Sequence, residues 1–210
     1  AATPVWTPVA RMPMGGRRDV TGTILADGQV LVTGGQKEIP YTKITPSYQT
    51  ELWNPATLNW TVLAPEPAFR SYHSIAILLP DARVLSAGGV GGGAYGDIFS
   101  PPYLFKGPRP TITSAPTTTG YNSAFFVGTP DAASVTQVTF IRLASVTHGF
   151  NESQRFTRLN FSVTAGGINV SAPSGPTLAP PGHYMLFILN ANGVPSVSKT
   201  IRLDLPQVME

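Results

Sequence analysis

A repeat with a period of 54 residues is the feature that most limits what this chain of 210 residues can fold into. When the sequence is shifted by 54 positions without gaps, Asp27 falls on Asp81 and the pair Gly34-Gly35 falls on Gly88-Gly89. The other coincidences are Trp6-Thr7 with Trp60-Thr61, Ala10 with Ala64, Pro13 with Pro67, Leu25 with Leu79, and Val30-Leu31 with Val84-Leu85. Similarity at one fixed spacing is typical of repeat architectures, in which each unit packs against the next.

Each repeat has the pattern of a set of short strands. Residues 20–25 and 29–33 flank Asp27-Gly28, a dipeptide typical of tight hairpin turns. A glycine pair ends the second strand, a third strand is predicted around Trp53, and a fourth begins near Trp60. Four strands per unit of about 50 residues, with a Gly-Gly break and a closing Trp, are typical of a kelch-type propeller blade.

The repeats occupy only the first half of the chain, and we expect about two blades. Trp6-Thr7 corresponds to the last strand of a blade, residues 16–63 form a complete blade, and a further blade begins at Phe69. A closed propeller needs roughly 4–8 blades. The phase of the repeat therefore predicts the C-terminal part of a larger propeller, completed by blades on the same precursor or on another chain.

After Pro108 the landmarks of the repeat disappear, and short strands recur at 123–127, 136–143, 156–164, 183–190 and 197–203. Turn residues separate these strands, and the sequence has no convincing helical periodicity. About 100 residues with strands at this spacing predict an immunoglobulin-like β-sandwich. We therefore predict an all-β chain, with a partial kelch-type β-propeller over residues 1–108 and the sandwich over residues 109–210.

The composition excludes several classes of function. Only 12% of the residues are charged, and the net charge of +3 comes from scattered Lys and Arg, so no basic stripe indicates nucleic acid. The apolar stretches are far shorter than the roughly 20 residues of a membrane-spanning helix. The absence of cysteine excludes thiolate metal ligands and thiol catalysis within this chain. We expect neither nucleic acid nor a membrane as partner.

Two of the three histidines lie at positions that favour a site. His73 follows Tyr72 at the entrance of the first, innermost strand of the last blade, and such strands line a propeller axis. Neighbouring residues of a regular strand point to opposite faces, so both side chains can face one site only where the pleat is not yet regular. His148 lies on a loop of the predicted sandwich that can reach the propeller mouth. The local sequence leaves open a metal site or, instead, a packed aromatic beside structural or exposed histidines.

Several segments resemble the family of galactose oxidase and glyoxal oxidase. The resemblance covers nearly the whole chain, including the last blade, the passage into the C-terminal domain, a ligand-bearing loop and the terminal strands. The segments are Arg70–Ile75 with Leu78–Asp81, Gly34–Gln36 with Ile39–Tyr41 and Thr45-Pro46, Ile98–Leu104 with Arg109-Pro110, Thr147-His148 with Gln154-Arg155, and Pro181–Phe187 with Gly193–Ser196.

The resemblance implies a secreted copper radical oxidase, which oxidises a primary alcohol, an aldehyde or a sugar with O₂ and releases hydrogen peroxide. It places copper ligands on Tyr72, His73 and His148, with Tyr72 also acting as catalytic base, and it places a wall of the substrate site on Tyr41. Imidazoles and a phenolate with an open position suit Cu(II) in tetragonal geometry.

The chain departs from this family in a respect that bears on activity. The family's radical Tyr is cross-linked to a Cys on earlier blades, and this chain has no Cys. A smaller departure is Ala82, which stands where a turn Gly is usual. The sequence therefore predicts a portion that is inactive alone and becomes an oxidoreductase when the missing blades are supplied. The alternative is a non-catalytic propeller-sandwich module that binds glycan or a cell-wall polymer or has a structural role.

Overall fold

The computed structural model describes residues 3–37 and 45–205, and the fold is all-β, as predicted. The first sheet is an antiparallel meander of four strands: β1 (Arg17–Ile24), β2 (Val30–Lys37), β3 (Gln49–Asn54) and β4 (Asn59–Pro65). The second sheet has three: β5 (Ser74–Leu78), β6 (Val84–Gly88) and β7 (Gly96–Phe99). Helix within the described ranges is limited to two short 3₁₀ segments, Pro102–Phe105 and Ala132–Ser134. No helix in this part of the chain has the length and apolar character needed to cross a membrane.

The 54-residue register of the sequence is visible in the first hairpin of each sheet. Leu25 and Leu79 each donate a backbone N–H, at 2.8 Å, to the carbonyl of the residue four positions later. Gly28 and Ala82 occupy the same left-handed position of the two turns, with φ of 87° and 67°. The two sheets therefore share their turn geometry as well as their sequence spacing.

A buried arginine at the entrance of each sheet ties the strands together. The side chains of Arg17 and Glu51 are both fully buried and form an ion pair. In the second sheet Arg70 pairs with Asp97 at 2.5 Å. Each guanidinium also donates to the carbonyl of the first glycine of the Gly-Gly pair, at 3.1 and 3.0 Å. Separating either pair would leave a buried charge unpaired, which is costly. Since each arginine also bonds the second strand, the pairs hold the third strand in place against the second.

The opening segment does not form the predicted last strand of a blade. Residues 3–16 contain no strand, and the side chain of Trp6 is fully exposed. A strand needs a partner for its backbone groups, and the described chain places no strand beside this segment. The segment contacts the first sheet through Trp60, whose Nε1 donates to the carbonyl of Ala10 at 2.9 Å.

The remaining strands form an immunoglobulin-like β-sandwich, as predicted. Its strands are β8 (Thr118–Gly120), β9 (Ala124–Gly128), β10 (Val135–Arg142), β11 (Val146–Thr147), β12 (Phe150–Asn151), β13 (Phe156–Leu159), β14 (Phe161–Thr164), β15 (Gly167–Ser171), β16 (Gly182–Asn190) and β17 (Lys199–Asp204). The two sheets have the strand orders β13-β10-β16-β17-β8 and β14-β15-β9, and β11 and β12 form a separate hairpin. The strand predicted over 156–164 divides at Asn160, so that one half serves each sheet.

Strand β16 is buried on both of its faces. Between Tyr184 and Leu189 the even-numbered residues Tyr184, Leu186 and Ile188 pack into the sandwich core. The odd-numbered residues Met185, Phe187 and Leu189 pack into a core shared with the first two sheets. Each of the odd-numbered side chains is at most 2% exposed, and burial of such a side chain contributes about 2 kcal/mol. Apolar burial therefore fixes the sandwich against the first two sheets. The boundary between residues 108 and 109 stays a prediction.

Candidate metal centre

Tyr72 and His73 lie in a turn immediately before β5 begins at Ser74. The backbone N–H of Ser74 donates to the carbonyl of Ser71 at 2.9 Å and closes the turn. His73 has a φ of 67°, in the left-handed region that residues with a side chain seldom adopt. The rings of Tyr72 and His73 stack, with centroids 4.0 Å apart. Both side chains therefore lie on one side at the irregular strand entrance, the place where the sequence allowed them to share a site.

His148 reaches the same place from the sandwich part of the chain. It lies with Gly149 in the two-residue turn between β11 and β12, where Thr147 pairs with Phe150. Both turn residues have positive φ, 54° for His148 and 83° for Gly149, which is the geometry of a type I′ hairpin turn. This tight turn projects the imidazole from the tip of the hairpin.

The three predicted ligands form one cluster of rings. The centroid of His148 lies 4.6 Å from that of His73 and 5.8 Å from that of Tyr72. His148 follows His73 by 75 residues in the sequence, so the fold has to bring them together. All three side chains are exposed on one side, with Tyr72 47% exposed. Their predicted convergence is confirmed, whereas their role as ligands stays a prediction.

Gln154 fixes the hairpin to the edge of the first sheet. Its Nε2 donates to the carbonyl of Gly22 at 2.8 Å, and its Oε1 accepts from the N–H of Ile24 at 2.7 Å. Because β1 is the edge strand of its sheet, one side chain takes the place of a neighbouring strand. The sequence pattern did not predict that Gln154 binds the edge of β1. A side-chain amide can both donate and accept hydrogen bonds at a strand edge, but no nearby residue indicates which strand it contacts.

A cavity of about 420 Å³ opens beside the ring cluster. It is lined by Tyr72, His148 and Phe150, and by residues 17–20 of β1. The side chain of Phe150 is 70% exposed and gives this cavity an aromatic wall that the sequence did not predict. Tyr41, which was predicted to line the substrate site, lies outside the described residues.

The donor atoms of the cluster fit a Cu(II) ion. Two imidazoles and a phenol are the nitrogen and oxygen donors that tetragonal Cu(II) takes, and the exposed side of the rings leaves space for a further ligand. Oγ1 of Thr147 lies 2.6 Å from Nδ1 of His148, so Nε2 remains available, and metal-binding histidines commonly have such a partner on the other nitrogen. Within residues 3–37 and 45–205 no three His, Cys, Asp or Glu side chains are grouped to hold a metal ion, so Tyr72 would supply the third donor.

Glu66 is a buried acid between the first two sheets. The residue is 8% exposed, Oγ of Ser86 donates to its Oε1 at 2.6 Å, and its Oε2 has no hydrogen-bond partner among the described residues. Burial raises the pKa of Glu66, and the hydrogen bond from Ser86 and the charge of Arg70 lower it by less. Glu66 lines a separate cavity of about 210 Å³, which none of the three ring residues lines.

This chain is similar in sequence to known oxidases. Residues 109–203 match the family described as "Galactose oxidase-like, Early set domain". Galactose oxidase of Gibberella zeae is 36% identical over an alignment of 201 residues, which covers 87% of this chain and 29% of that protein. Aldehyde oxidase GLOX of Vitis pseudoreticulata is 36% identical over an alignment of 172 residues, which covers 71% of this chain and 33% of that protein. The chain therefore spans about a third or less of the length of these relatives.

A solved structure is similar over most of the chain. It is described as a novel fungal alcohol oxidase with catalytic diversity among the AA5 family, in complex with copper. The TM-score is 0.84 at 32% sequence identity, and the alignment covers 94% of this chain and 44% of that one.

Proposed function

Because the chain belongs to the family of galactose oxidase and the glyoxal, or aldehyde, oxidases, we propose that it is the C-terminal portion of a secreted copper radical oxidase. In this proposal the completed enzyme oxidises a primary alcohol or an aldehyde, sugars included, and reduces O₂ to H₂O₂. An alcohol loses two electrons and two protons in forming the aldehyde, and an aldehyde, as its hydrate, loses the same number in forming the acid. O₂ gains them in forming H₂O₂. Residues 1–108 belong to a kelch-type propeller and residues 109–210 form the second domain.

The observation that carries this proposal is the ring cluster. Tyr72, His73 and His148 come from two distant parts of the chain, and their centroids lie 4.0–5.8 Å apart on an open side of the molecule. A packed aromatic would be buried, whereas Tyr72 is exposed, and unrelated structural or exposed histidines would have no reason to lie together as His73 and His148 do. Two of the residues also have a strained left-handed backbone, which is common at functional sites.

In the proposed site each histidine has one role and Tyr72 has two. His73 and His148 hold the metal through ring nitrogens, and the phenol oxygen of Tyr72 is the third donor. Copper bound there supplies a Lewis acid and a one-electron acceptor. The phenolate oxygen of Tyr72 would accept the hydroxyl proton of the substrate as a general base. The exposed ring of Phe150 forms an apolar wall for the carbon skeleton.

The proposed partners are further propeller blades, on the same precursor or on another chain, and a small alcohol, aldehyde or sugar. The arrangement of the first two sheets supports a propeller, because their first strands are neighbours: Oγ1 of Thr23 donates to the carbonyl of Ala76 at 3.1 Å.

Oxidation of an alcohol removes two electrons, and the family's second redox centre is a Tyr-Cys pair that this chain lacks. We therefore expect no turnover by the isolated chain.

Copper titration of the purified chain tests the ligand set. We expect Cu(II) to bind weakly, with an electron paramagnetic resonance spectrum typical of nitrogen and oxygen ligands, and we expect His73→Ala or His148→Ala to abolish that spectrum. His183→Ala is the control, because His183 is the third histidine, exposed on β16 and outside the cluster. A spectrum that depends on His183 and not on the other two would contradict the proposal.

Peroxide release tests the proposed activity. The copper-loaded chain is assayed with galactose, glyoxal and methylglyoxal, with and without a Cys-containing N-terminal segment from a relative. We expect peroxide only when the segment is present, and a loss of at least tenfold in kcat with Tyr72→Phe. Robust turnover by the chain alone would contradict the proposed need for further blades.

A further inference from the structure

The strained turn that presents Tyr72 and His73 must be held by its surroundings. A left-handed residue with a side chain costs roughly 1–2 kcal/mol and persists only where neighbouring contacts fix it. The carbonyl of Tyr72 accepts from the N–H of Val90 at 3.0 Å, which fixes the turn on its C-terminal side. The contacts on its N-terminal side come from β1 and β2.

Two irregular positions in β1 and β2 create those contacts. The ladder pairs Arg18 with Gln36 and Val20 with Gly34, and it omits Asp19 and Gly35 between them. Asp19 has a φ of 56° and Gly35 a φ of 86°. The N–H of Gly35 turns out of the ladder and donates to the carbonyl of Arg70 at 2.6 Å, directly before the turn.

The side chains of Asp19, Gln36 and Ser71 form a hydrogen-bond network at the same place. Nε2 of Gln36 donates to Oδ2 of Asp19 at 2.8 Å and to Oγ of Ser71 at 3.2 Å. Oγ of Ser71 in turn donates to Oδ2 of Asp19, at 3.4 Å. Gln36 and Ser71 are 7% and 3% exposed, so water competes little for these bonds. Asp19 is half-buried and lines the cavity that Tyr72 and His148 also line.

We propose that Asp19 and Gln36 are positioning residues, which hold Ser71 and thereby aim the Tyr72–His73 turn at His148. The inference rests on the proposed function, because it concerns the same ring cluster. Ser71 is the first residue of the turn, and its carbonyl accepts the hydrogen bond that closes the turn. Its side chain is held by Asp19 and Gln36, and the carbonyl of Arg70 before it is held by Gly35. These contacts together prevent rotation of the peptide between Ser71 and Tyr72. Neither Asp19 nor Gln36 needs to touch the metal or the substrate.

The test compares Asp19→Ala with Asp27→Ala in copper titrations of the full chain. Asp27 is a matched control, since its Oδ2 accepts from the amide of Gln29 at 2.6 Å, at the far end of the same hairpin. At about 3.3 Å per residue that end lies roughly 20 Å from Asp19. We expect Asp19→Ala to weaken Cu(II) binding at least fivefold and to change the resonance spectrum, and Asp27→Ala to alter binding less than twofold.

Two more variants separate positioning from folding. Asp19→Asn keeps an oxygen acceptor for Gln36 and Ser71, and we expect it to restore the spectrum and to bring copper affinity within twofold of the unsubstituted chain. Ser71→Ala removes the other end of the network with little change in volume, and we expect it to reproduce the Asp19→Ala spectrum. Circular dichroism checks that each variant is folded.

The outcomes distinguish this inference from the proposed function. If copper binding depends on His73 and His148 but is unchanged by both Asp19→Ala and Ser71→Ala, the positioning role is wrong and the proposed function stands. If Asp19→Ala lowers thermal stability and leaves the spectrum unchanged, the network is structural only and the inference is also wrong. If the unsubstituted chain binds no copper, the proposed function fails and the positioning role fails with it.

Discussion

Glu66 is a buried carboxyl whose protonated form the fold favours. Because its pKa is raised in the folded state, its contribution to stability is fully present below the ordinary value of 4.5 and is lost as the pH rises through the folded pKa. We expect Glu66→Gln, which is uncharged at every pH, to remove this slope and to raise the free energy of unfolding at pH 7 by about 1 kcal/mol. Urea unfolding of both proteins at pH 4, 6 and 8 measures the slope. Parallel pH profiles for the two proteins would show that Glu66 has no such effect.

Gly28 and Ala82 occupy equivalent turn positions, but only the second has room for a Cβ atom. A Cβ on Gly28 would lie 2.7 Å from Cζ of Phe156, and its positive φ adds strain. We expect Gly28→Ala to lower the free energy of unfolding by about 3 kcal/mol, from overpacking and strain together. Ala82→Gly relieves strain but removes a buried methyl group worth about 0.8 kcal/mol, so it should change stability by less than about 1 kcal/mol. Guanidinium unfolding of the two variants compares them, and equal losses would contradict the argument.

Strand geometry limited where Tyr72 and His73 could act together, but the local sequence left open a metal site or a packed aromatic, and the resemblance placed the ligands. The pleat forbids neighbouring side chains on one face, so both rings could share one side only at an irregular strand entrance, where they are found. The backbone of His148 was not predictable in the same way. A type I′ turn is signalled by residues such as Asn-Gly, and His148-Gly149 gives only half of that signal.

Among the elements, the β11–β12 hairpin depends on Gln154 for its attachment to β1. We expect Gln154→Ala to lower the free energy of unfolding by about 1–2 kcal/mol, since two hydrogen bonds to the Gly22 and Ile24 backbone are lost. Hydrogen exchange measured by NMR should show faster exchange of the Ile24 amide. Gln154→Glu is the control, because it keeps the acceptor for Ile24 and loses only the donor to Gly22. Unchanged protection of Ile24 in Gln154→Ala would show that the side chain does not hold the strand.

The buried arginine pairs show why a gapless comparison misses some equivalent residues. The register that relates the two sheets is 54 residues, but Arg17 and Arg70 are 53 apart and Glu51 and Asp97 are 46 apart. The second sheet has one residue more between its arginine and the first hairpin turn, and the connection between the second and third strands is longer in the first sheet. The repeated turns keep the register because a tight hairpin tolerates no insertion, whereas these connections tolerate several.

In the whole molecule, the core shared by the sandwich and the first two sheets couples their unfolding. Phe187 is fully buried in that core, and we expect Phe187→Ala to lower the free energy of unfolding by about 3–5 kcal/mol and to split one calorimetric transition into two. Phe125→Ala is the control, because Phe125 belongs to the sandwich core. It should lower the Tm of a single transition. Two transitions in the unsubstituted protein would show that the shared core does not couple the parts.

The overall arrangement was predictable only in outline. Strand spacing and the loss of the repeat predicted two kinds of β structure, because those signals are local. The approach of His148 to His73 is not local, since it depends on which face of β16 packs against the first two sheets. A strand that is apolar on both faces, as β16 is from Tyr184 to Leu189, gives no alternation from which to assign its faces. The resemblance to known oxidases supplied this part of the prediction.

The attachment of Gln154 to β1 also bears on aggregation. An unpaired strand edge offers its N–H and C=O groups as a template for a strand of another molecule. In the intact fold the outward groups of Gly22 and Ile24 are already occupied by one glutamine amide. A proteolytic fragment that retained the first two sheets but ended before Val146 would leave that edge bare. Such a fragment would assemble through β1 into intermolecular sheets, so the same amide that places His148 keeps the first sheet from recruiting copies of itself.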